Sequence, residues 1–485
     1  MNNMTPSKKA YLVVDVGTGN VRTAVVGTTG GIQALHRENV TYIKDADYPD
    51  SIYFDPTQLW KQIKRLAAQT LAEAGPVQIE AITATSQREG VVVLDKEGQP
   101  VIGMSNHDNR GREWEALVKD KNRMYALTGR YPTALFSALK LVGLRERKTA
   151  LWSGVATFTS ISDWVQFQFS GVLGYEHSQA SETLLYDINA KDWSSELCDV
   201  FGLPTSLLPP LKSSGDVLAT IRADVAEELD IAAGAVVVVG GADTQLAVHS
   251  TKPDRDDVVI VSGTTTPIIK IVDRYVTDGQ QRTWTGRHID TGSFMLEANA
   301  GVTGLNYQRL KEIFYPNEDY EVIEQELDET SYSQCVASLG SLVADEDTPL
   351  TKGGFIFNAP VSHQLTRGGF VFAILWDIAC SIYENYKVLD NVSAHNRDYI
   401  WACGGGVQSR KLRQFIANLT NKKIRICNTY RQSSVLGGAF ICAEATGQQG
   451  AVPELQDEVI PQDRDRFMEL YAEWKRARHT FSQIS

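Results

Sequence analysis

An apolar run, YLVVDV, carries a single charge at Asp15 and opens into the turn Gly17-Thr18-Gly19 before a second run, RTAVVG, begins. A turn of small residues can aim several N–H groups into one concavity that suits phosphate oxygens. A carboxylate near the end of the first run can hold Mg2+ through water, because Mg2+ favours oxygen ligands and keeps much of its hydration shell. Arg22, a few residues on, is in reach of the same phosphates. Read alone, the stretch is explained equally well by a tight hairpin with no ligand. The stretch Ser262-Gly263-Thr264-Thr265-Thr266 shifts that balance, since it again separates two apolar runs, in the second half of the chain. Two such turns facing one cleft can clamp a triphosphate, and phosphoryl transfer depends chiefly on positioning and charge stabilisation. The first turn is not a P-loop, because neither Gly-Lys-Ser/Thr nor a helix follows it.

Other clusters supply the rest of such a chemistry. Asp243, in VVGGADTQL, follows an apolar strand and a Gly-Gly turn. A carboxylate there can accept the proton of an attacking hydroxyl, help worth about 10²–10⁴-fold in rate. An N-cap for the following helix is its plainer role. Arg88 and Glu89, adjacent in SQREG, can hold vicinal hydroxyls, one donating and the other accepting. A solvated charge pair is the alternative. NHDNR, Asn106 to Arg110, is a second polar cluster just past a strand. The triplet Gly404-Gly405-Gly406 lets a flat base or ribose approach the backbone, and strand-to-helix packing explains it nearly as well. The eight histidines show no metal-ligand spacing.

These residues need elements to position them. The segments YLVVDV, RTAVVG and IQALHR read as three strands broken by GTGN and TTGG. Pro56 to Ala74 reads as a helix with Asp55 as N-cap, Pro56 at N1 and Gly75 after its end. IEAITAT and VVVLD are strands, and helical patterns, SDWVQFQF among them, extend to about Phe201. DVVIVSGTTTPIIKIV repeats the opening strand–turn–strand plan, which points to an internal duplication, and YIWACGGGVQSRKLRQFIANL reads as strand, turn and helix. The polar stretch at 250–257, STKPDRDD, is the expected crossing between halves.

Length and composition set the bounds. A chain of 485 residues exceeds one hydrophobic core, so two large domains are expected. A net charge of −12 argues against nucleic acid or a membrane surface as partner, since both are polyanions. The six cysteines form no CxxC pair, so buried reduced thiols are expected rather than a zinc site or disulfides. No signal-like segment opens the sequence, and no apolar run approaches the roughly 20 residues of a membrane span. A cytoplasmic protein is the expectation.

In order along the chain, DVGTGNVR, SQREG, NHDNR, ISDWVQFQFSG, GGADTQ, SGTTTP, ACGGGVQSRKLRQFIANLT and SSVLGGAF resemble the FGGY family of carbohydrate kinases. The resemblance covers nearly the whole chain and implies an α/β fold of two actin-like (ribonuclease H-like, ASKHA) ATPase domains with a cleft between them. Residues 1–248 would bind the sugar and 249–485 the ATP, with Mg2+ at Asp15. It maps the catalytic base onto Asp243, phosphate contacts onto Gly17, Thr18, Gly19, Arg22, Gly263, Thr264 and Thr265, and adenosine contacts onto Gly405 and Ser409. Arg88, Glu89, Asn106, Asp108 and Gln245 fall at substrate positions. SQREG and FSALK are similar to glycerol kinases, but Leu135 and Asn106 stand where those enzymes carry aromatic residues. The autoinducer-2 kinases look closer, sharing R-E-G, N-x-D-x-R, ISDW and D-x-Q-L. They imply a short, linear, highly hydroxylated ketone phosphorylated on a primary hydroxyl. Xylulokinases are the neighbouring possibility, although they usually carry MHG where this chain has QRE. Family members often pair as dimers, so a homodimer is the assembly suggested. Two departures stand out: no Gly-Glu-Arg-x-Pro signature is evident around NAPVSHQLTRGGF, and Gln432 replaces a customary glutamate.

Overall fold

A computed structural model describes residues 8–290, 292–330, 334–346 and 348–485. The opening β-branched runs form a meander of β1 (Lys8–Val16), β2 (Asn20–Gly27) and β3 (Ile32–Asn39). β4 (Val77–Ser86), β5 (Val217–Thr220) and β6 (Val236–Ala242) complete a six-stranded sheet in the order β5-β6-β4-β1-β2-β3. β4 pairs in parallel with both β1 and β6, while β2 and β3 run antiparallel.

The second half repeats this plan. β7 (Val258–Val261), β8 (Thr265–Val272), β9 (Trp284–Arg287), β10 (Phe294–Val302), β11 (Tyr399–Cys403), β12 (Lys423–Cys427) and β13 (Leu455–Val459) form a sheet ordered β9-β10-β8-β7-β11-β12-β13. β7, β8 and β10 form the antiparallel meander, and β11 and β12 run parallel to β7. The expected duplication is therefore present as strand order, with β9 added at one edge. Both meanders end their first strand at one of the two Gly/Thr turns.

Helix α1 (Pro56–Ala74) starts and stops where its caps predict, with Asp55 Oδ1 accepting from Thr57 N at 2.8 Å. Its Leu59, Ile63 and Leu66 pack beneath the first sheet with Leu12 and Val25. α2 (Ile161–Ser170) ends on Gly171 in the left-handed region, φ 74°. It follows a strand, Thr157–Ser160, inside the stretch expected to be helical. That strand joins Ile43–Asp45, Tyr48–Phe54, Val91–Leu94 and Pro100–Met104 in a five-stranded sheet. These strands are short, and their apolar residues match helical and extended patterns equally.

α3 (Asp243–His249) leads through residues 250–257 into β7. α4 (Arg367–Val392) and α5 (Arg410–Thr420) cover the second sheet, and α6 (Ser433–Ala445) reaches back to the first. Val435 and Ala439 of α6 share a buried cluster with Tyr11 and Val13 of β1 and Leu246 of α3. A helix from the end of the chain thus completes the core beneath its first strand. All six cysteines are free and buried, as expected. Among the described residues, no helix is long and apolar enough to cross a membrane.

Candidate active site

Pairing of β1 with β2 sets Asp15 opposite Arg22, and Gly17 N–H closes the turn on Asn20 O at 3.0 Å. The amides of Thr18 and Gly19 make no backbone hydrogen bond among the described residues, and Gly19 is exposed. Asp15 is buried; its Oδ2 accepts from Ser434 Oγ at 2.8 Å and lies 3.6 Å from Arg22 Nη1. Arg22 also donates to Asn20 Oδ1 at 3.0 Å and to Gln432 Oε1 at 3.3 Å. The start of α6 therefore holds the first turn from the other side. Gln432 serves Arg22 as a neutral acceptor, where a glutamate would add a second negative charge beside Asp15. No cluster of three or more His, Cys, Asp or Glu is gathered to cage a metal among the described residues. A single carboxylate at Asp15 suits an ion that keeps its water and shares substrate phosphates.

The second turn is built alike: Gly263 N–H donates to Thr265 O at 2.9 Å, and Gly263 and Thr264 are exposed. Behind it, Ser262 carries the glycine triplet. A Cβ on Gly404 would lie 2.4 Å from Ser262 O, and one on Gly406 would lie 2.1 Å from Ser262 Oγ. Packing explains those two glycines and leaves Gly405 exposed. Ser409 is the N-cap of α5; its Oγ accepts from Leu412 N at 3.3 Å, and it is buried. Its Oγ accepts from the helix and keeps its own hydroxyl proton to donate.

The strand before Asp243 does not turn at its two glycines. β6 runs through Gly240 and Gly241 to Ala242, with a register shift against β4 between Val238 and Gly241. A Cβ on Gly240 would meet Ala84 O at 2.1 Å, so close backbone approach, not a turn, requires glycine there. Asp243 is the first residue of α3, with Ala242 at the cap position, so the N-cap alternative does not hold. Its Oδ1 accepts from Thr244 N at 2.6 Å and Thr244 Oγ1 at 3.1 Å. Burial and then the charge of Asp15 push its carboxyl up to about 6, while Arg88 acts in the opposite direction. Three of the expected residues are thus within electrostatic reach of one another. The backbone just before Asp243 is pinned: Ala242 N donates to Ser178 Oγ at 3.1 Å, and Ser178 Oγ donates to Glu176. Glu176 Oε2 also accepts from Ser178 N at 2.8 Å, and Asp163 Oδ2 accepts from Glu176 N at 3.0 Å.

Arg88 and Glu89 are both buried, not solvated. Arg88 directs its fork at Glu297 on β10, Nη1 to Oε2 at 2.6 Å and Nη2 to Oε1 at 3.0 Å. Its Nε lies 3.9 Å from Glu89 Oε1, and Glu182 Oε1 is 3.7 Å from Nη1. Arg130 in turn holds Glu182 with Nε at 2.8 Å and Nη2 at 2.5 Å. Glu89 adopts φ 62°, a left-handed conformation strained for a non-glycine residue. Ser137 Oγ and Lys140 Nζ, each 3.2 Å from Glu89 O, fix that strained backbone. Burial raises the Glu89 carboxyl and lowers the Lys140 ammonium from their ordinary values.

The remaining substrate candidates scatter. Asn106 sits on the first turn, donating from Nδ2 to Thr18 Oγ1 at 3.0 Å. Asp108 is fully buried, with Arg110 Nε on Oδ1 at 2.9 Å and Nη2 on Oδ2 at 2.7 Å. Both of its oxygens accept from Arg110, so it braces the loop that carries Asn106. Gln245 is buried in α3, and its Oε1 has no hydrogen-bond partner among the described residues. Sequence reading missed Arg130, Glu182, Glu297 and Ser434. Glu297 carried a signal, as a lone charge in the apolar run FMLEANAG.

Comparison with known proteins gives a consistent picture. The model of the FGGY carbohydrate kinase N-terminal domain matches residues 10–249, and that of the C-terminal domain matches 341–446. A protein of Bacillus subtilis (strain 168) named "Putative sugar kinase YoaC" is 48% identical over 477 residues, covering 98% of each chain. The autoinducer-2 kinase of Escherichia coli (strain K12) is 25% identical over 485 residues, covering 95% of this chain and 91% of its own. Xylulose kinase of Lactobacillus acidophilus superposes with a TM-score of 0.84 at 19% identity, covering 98% of this chain and 100% of its own. Glycerol kinase of Plasmodium falciparum with ADP gives 0.84 at 19% identity and 98% coverage of both chains. These structures share the two-domain actin-like fold.

Proposed function

The chain belongs to the FGGY family of carbohydrate kinases, ATP-dependent enzymes, and on that premise we propose that it phosphorylates a primary hydroxyl of a small, linear, uncharged ketose, in the class of autoinducer-2 or the ketopentoses. The observation that carries the substrate reading is charge balance. Arg88, Arg130 and Lys140 face Glu89, Glu182 and Glu297, all buried, with both arginine forks already occupied by carboxylates. A sugar acid would find both guanidinium forks taken and only the buried Lys140, which already donates to the Glu89 and Leu135 carbonyls, whereas hydroxyls can donate to Glu89. The 25% identity to an autoinducer-2 kinase supports the same class. Leu135 and Asn106, in place of aromatic residues, disfavour glycerol.

In this reading Asp243 takes the proton of the attacking hydroxyl as its oxygen bonds to the γ-phosphorus, and the bond to the bridging β–γ oxygen breaks to release ADP. The amides of Gly19 and Thr264, with Arg22, receive the phosphates, and Gly405 lies open to the adenosine. Asp15 would hold Mg2+ through water, and that ion would neutralise phosphate charge. Residues 1–248 supply the sugar side and 249–485 the nucleotide side, and closure of the two would exclude water. The test is coupled ADP release with MgATP and a panel of xylulose, ribulose, the autoinducer-2 precursor, glycerol and gluconate. Turnover on a neutral ketose with none on gluconate is expected. Gluconate as the best substrate would overturn the charge-balance reading.

A further inference from the structure

A peptide unit is planar and trans, so the carbonyl of one residue and the N–H of the next point in opposite directions. In the turn after β1, three successive carbonyls are held by donors outside the turn. Tyr42 OH donates to Thr18 O at 2.8 Å, Gln87 Nε2 lies 3.5 Å from Gly17 O, and Val40 N donates to Gly19 O at 3.1 Å. The N–H of Gly19 shares a peptide unit with Thr18 O, so it points away from Tyr42. The N–H of Thr18 is turned away from Gln87 in the same manner. These are the two amides of the turn that make no backbone hydrogen bond among the described residues.

Tyr42 lies between β3 and the strand Ile43–Asp45, and its ring meets Phe54 edge-on with centroids 6.5 Å apart. Its hydroxyl is held in turn, accepting from Gln87 Nε2 at 3.3 Å. Gln87 is buried directly after β4; its N donates to Val16 O at 2.9 Å, and its Oε1 accepts from Asn106 N at 3.0 Å. Asn106 closes the ring of contacts through Thr18 Oγ1. A phenol has one proton to donate, and here Thr18 O receives it, so the hydroxyl orients the turn and has no proton left for a ligand. We propose that Tyr42 is a positioning residue for phosphoryl transfer. It aims the Gly19 N–H at a nucleotide phosphate by holding the carbonyl of the same peptide unit, and Gln87 fixes its hydroxyl. The inference rests on the reading that the first turn receives phosphate.

The test is calorimetric titration of the full chain with Mg2+, comparing a non-hydrolysable ATP analogue with adenosine, in wild type, Tyr42→Phe and Arg22→Ala. Tyr42→Phe keeps the ring against Phe54 and removes one hydroxyl. It should weaken binding of the analogue about three- to tenfold, the worth of one hydrogen bond, and leave adenosine affinity as in wild type. A merely structural role would instead weaken both ligands equally and lower the Tm of the unliganded protein, and that result overturns the proposal. Unchanged analogue binding in Tyr42→Phe, with a clear loss in Arg22→Ala, also overturns it while leaving the turn as a phosphate site. Unchanged binding in both variants overturns the phosphate reading of the turn, and the proposal with it. The readout needs no turnover and stands independently of the sugar specificity.

Discussion

At the scale of single residues, Asp243 is the position on which the reading turns. Its carboxyl titrates near 6 because burial and Asp15 disfavour the charge. The base must be unprotonated, so kcat/KM should fall as pH drops below about 6 and level off above it. Asp243→Asn should cost about 10²–10⁴-fold in kcat, the range for a lost general base, with ATP affinity kept. Loss of less than tenfold in steady-state assays would remove Asp243 from that role. Residue identity alone left Arg88 and Asp108 ambiguous, because a charged side chain reads the same whether its partner is water, sugar or another side chain. In the fold Arg88 pairs with Glu297 and Asp108 with Arg110.

At the scale of elements, local rules work where local interactions suffice. α1 is delimited by its own caps, and Asp55→Ala should lower unfolding stability by about 1 kcal/mol in urea denaturation while kcat stays within twofold. β6 is different: its glycines look like a turn but sit in a strand, and at Gly240 β4 approaches too closely for a side chain. Gly240→Ala would drive a Cβ to 2.1 Å from Ala84 O, so it should disturb the strand end that aims Asp243. Lower Tm together with lower kcat is the expected pair of results; wild-type values of both would refute this account. Ser178, held by Glu176 and accepting from Ala242 N, secures the same strand end.

At the scale of the molecule, the two halves are joined through buried polar contacts as well as α6. Arg88 to Glu297 is the clearest, with side chains 9% and 3% exposed. Glu297→Ala leaves a buried guanidinium without its bidentate partner and should cost about 3–5 kcal/mol of unfolding free energy in chemical denaturation. A loss below 1 kcal/mol would mean that Glu182 takes over the charge. Nucleotide bound between the two turns should in turn raise stability, by about 2.7 kcal/mol at a concentration of 100 Kd. Thermal melts with and without MgATP measure that linkage.

The order of motifs determined the fold and the reaction class, because strand–turn–strand repeats and glycine-rich turns are encoded by neighbouring residues. The caps of α1, the meander of β1 to β3 and the place of Asp243 after a strand were all legible for that reason. What only the tertiary structure decided is which charges meet. Glu297 reaches Arg88 from 209 residues away, and Ser434 reaches Asp15 from 419. No local pattern encodes such pairs; they exist because the two halves bury facing surfaces against each other.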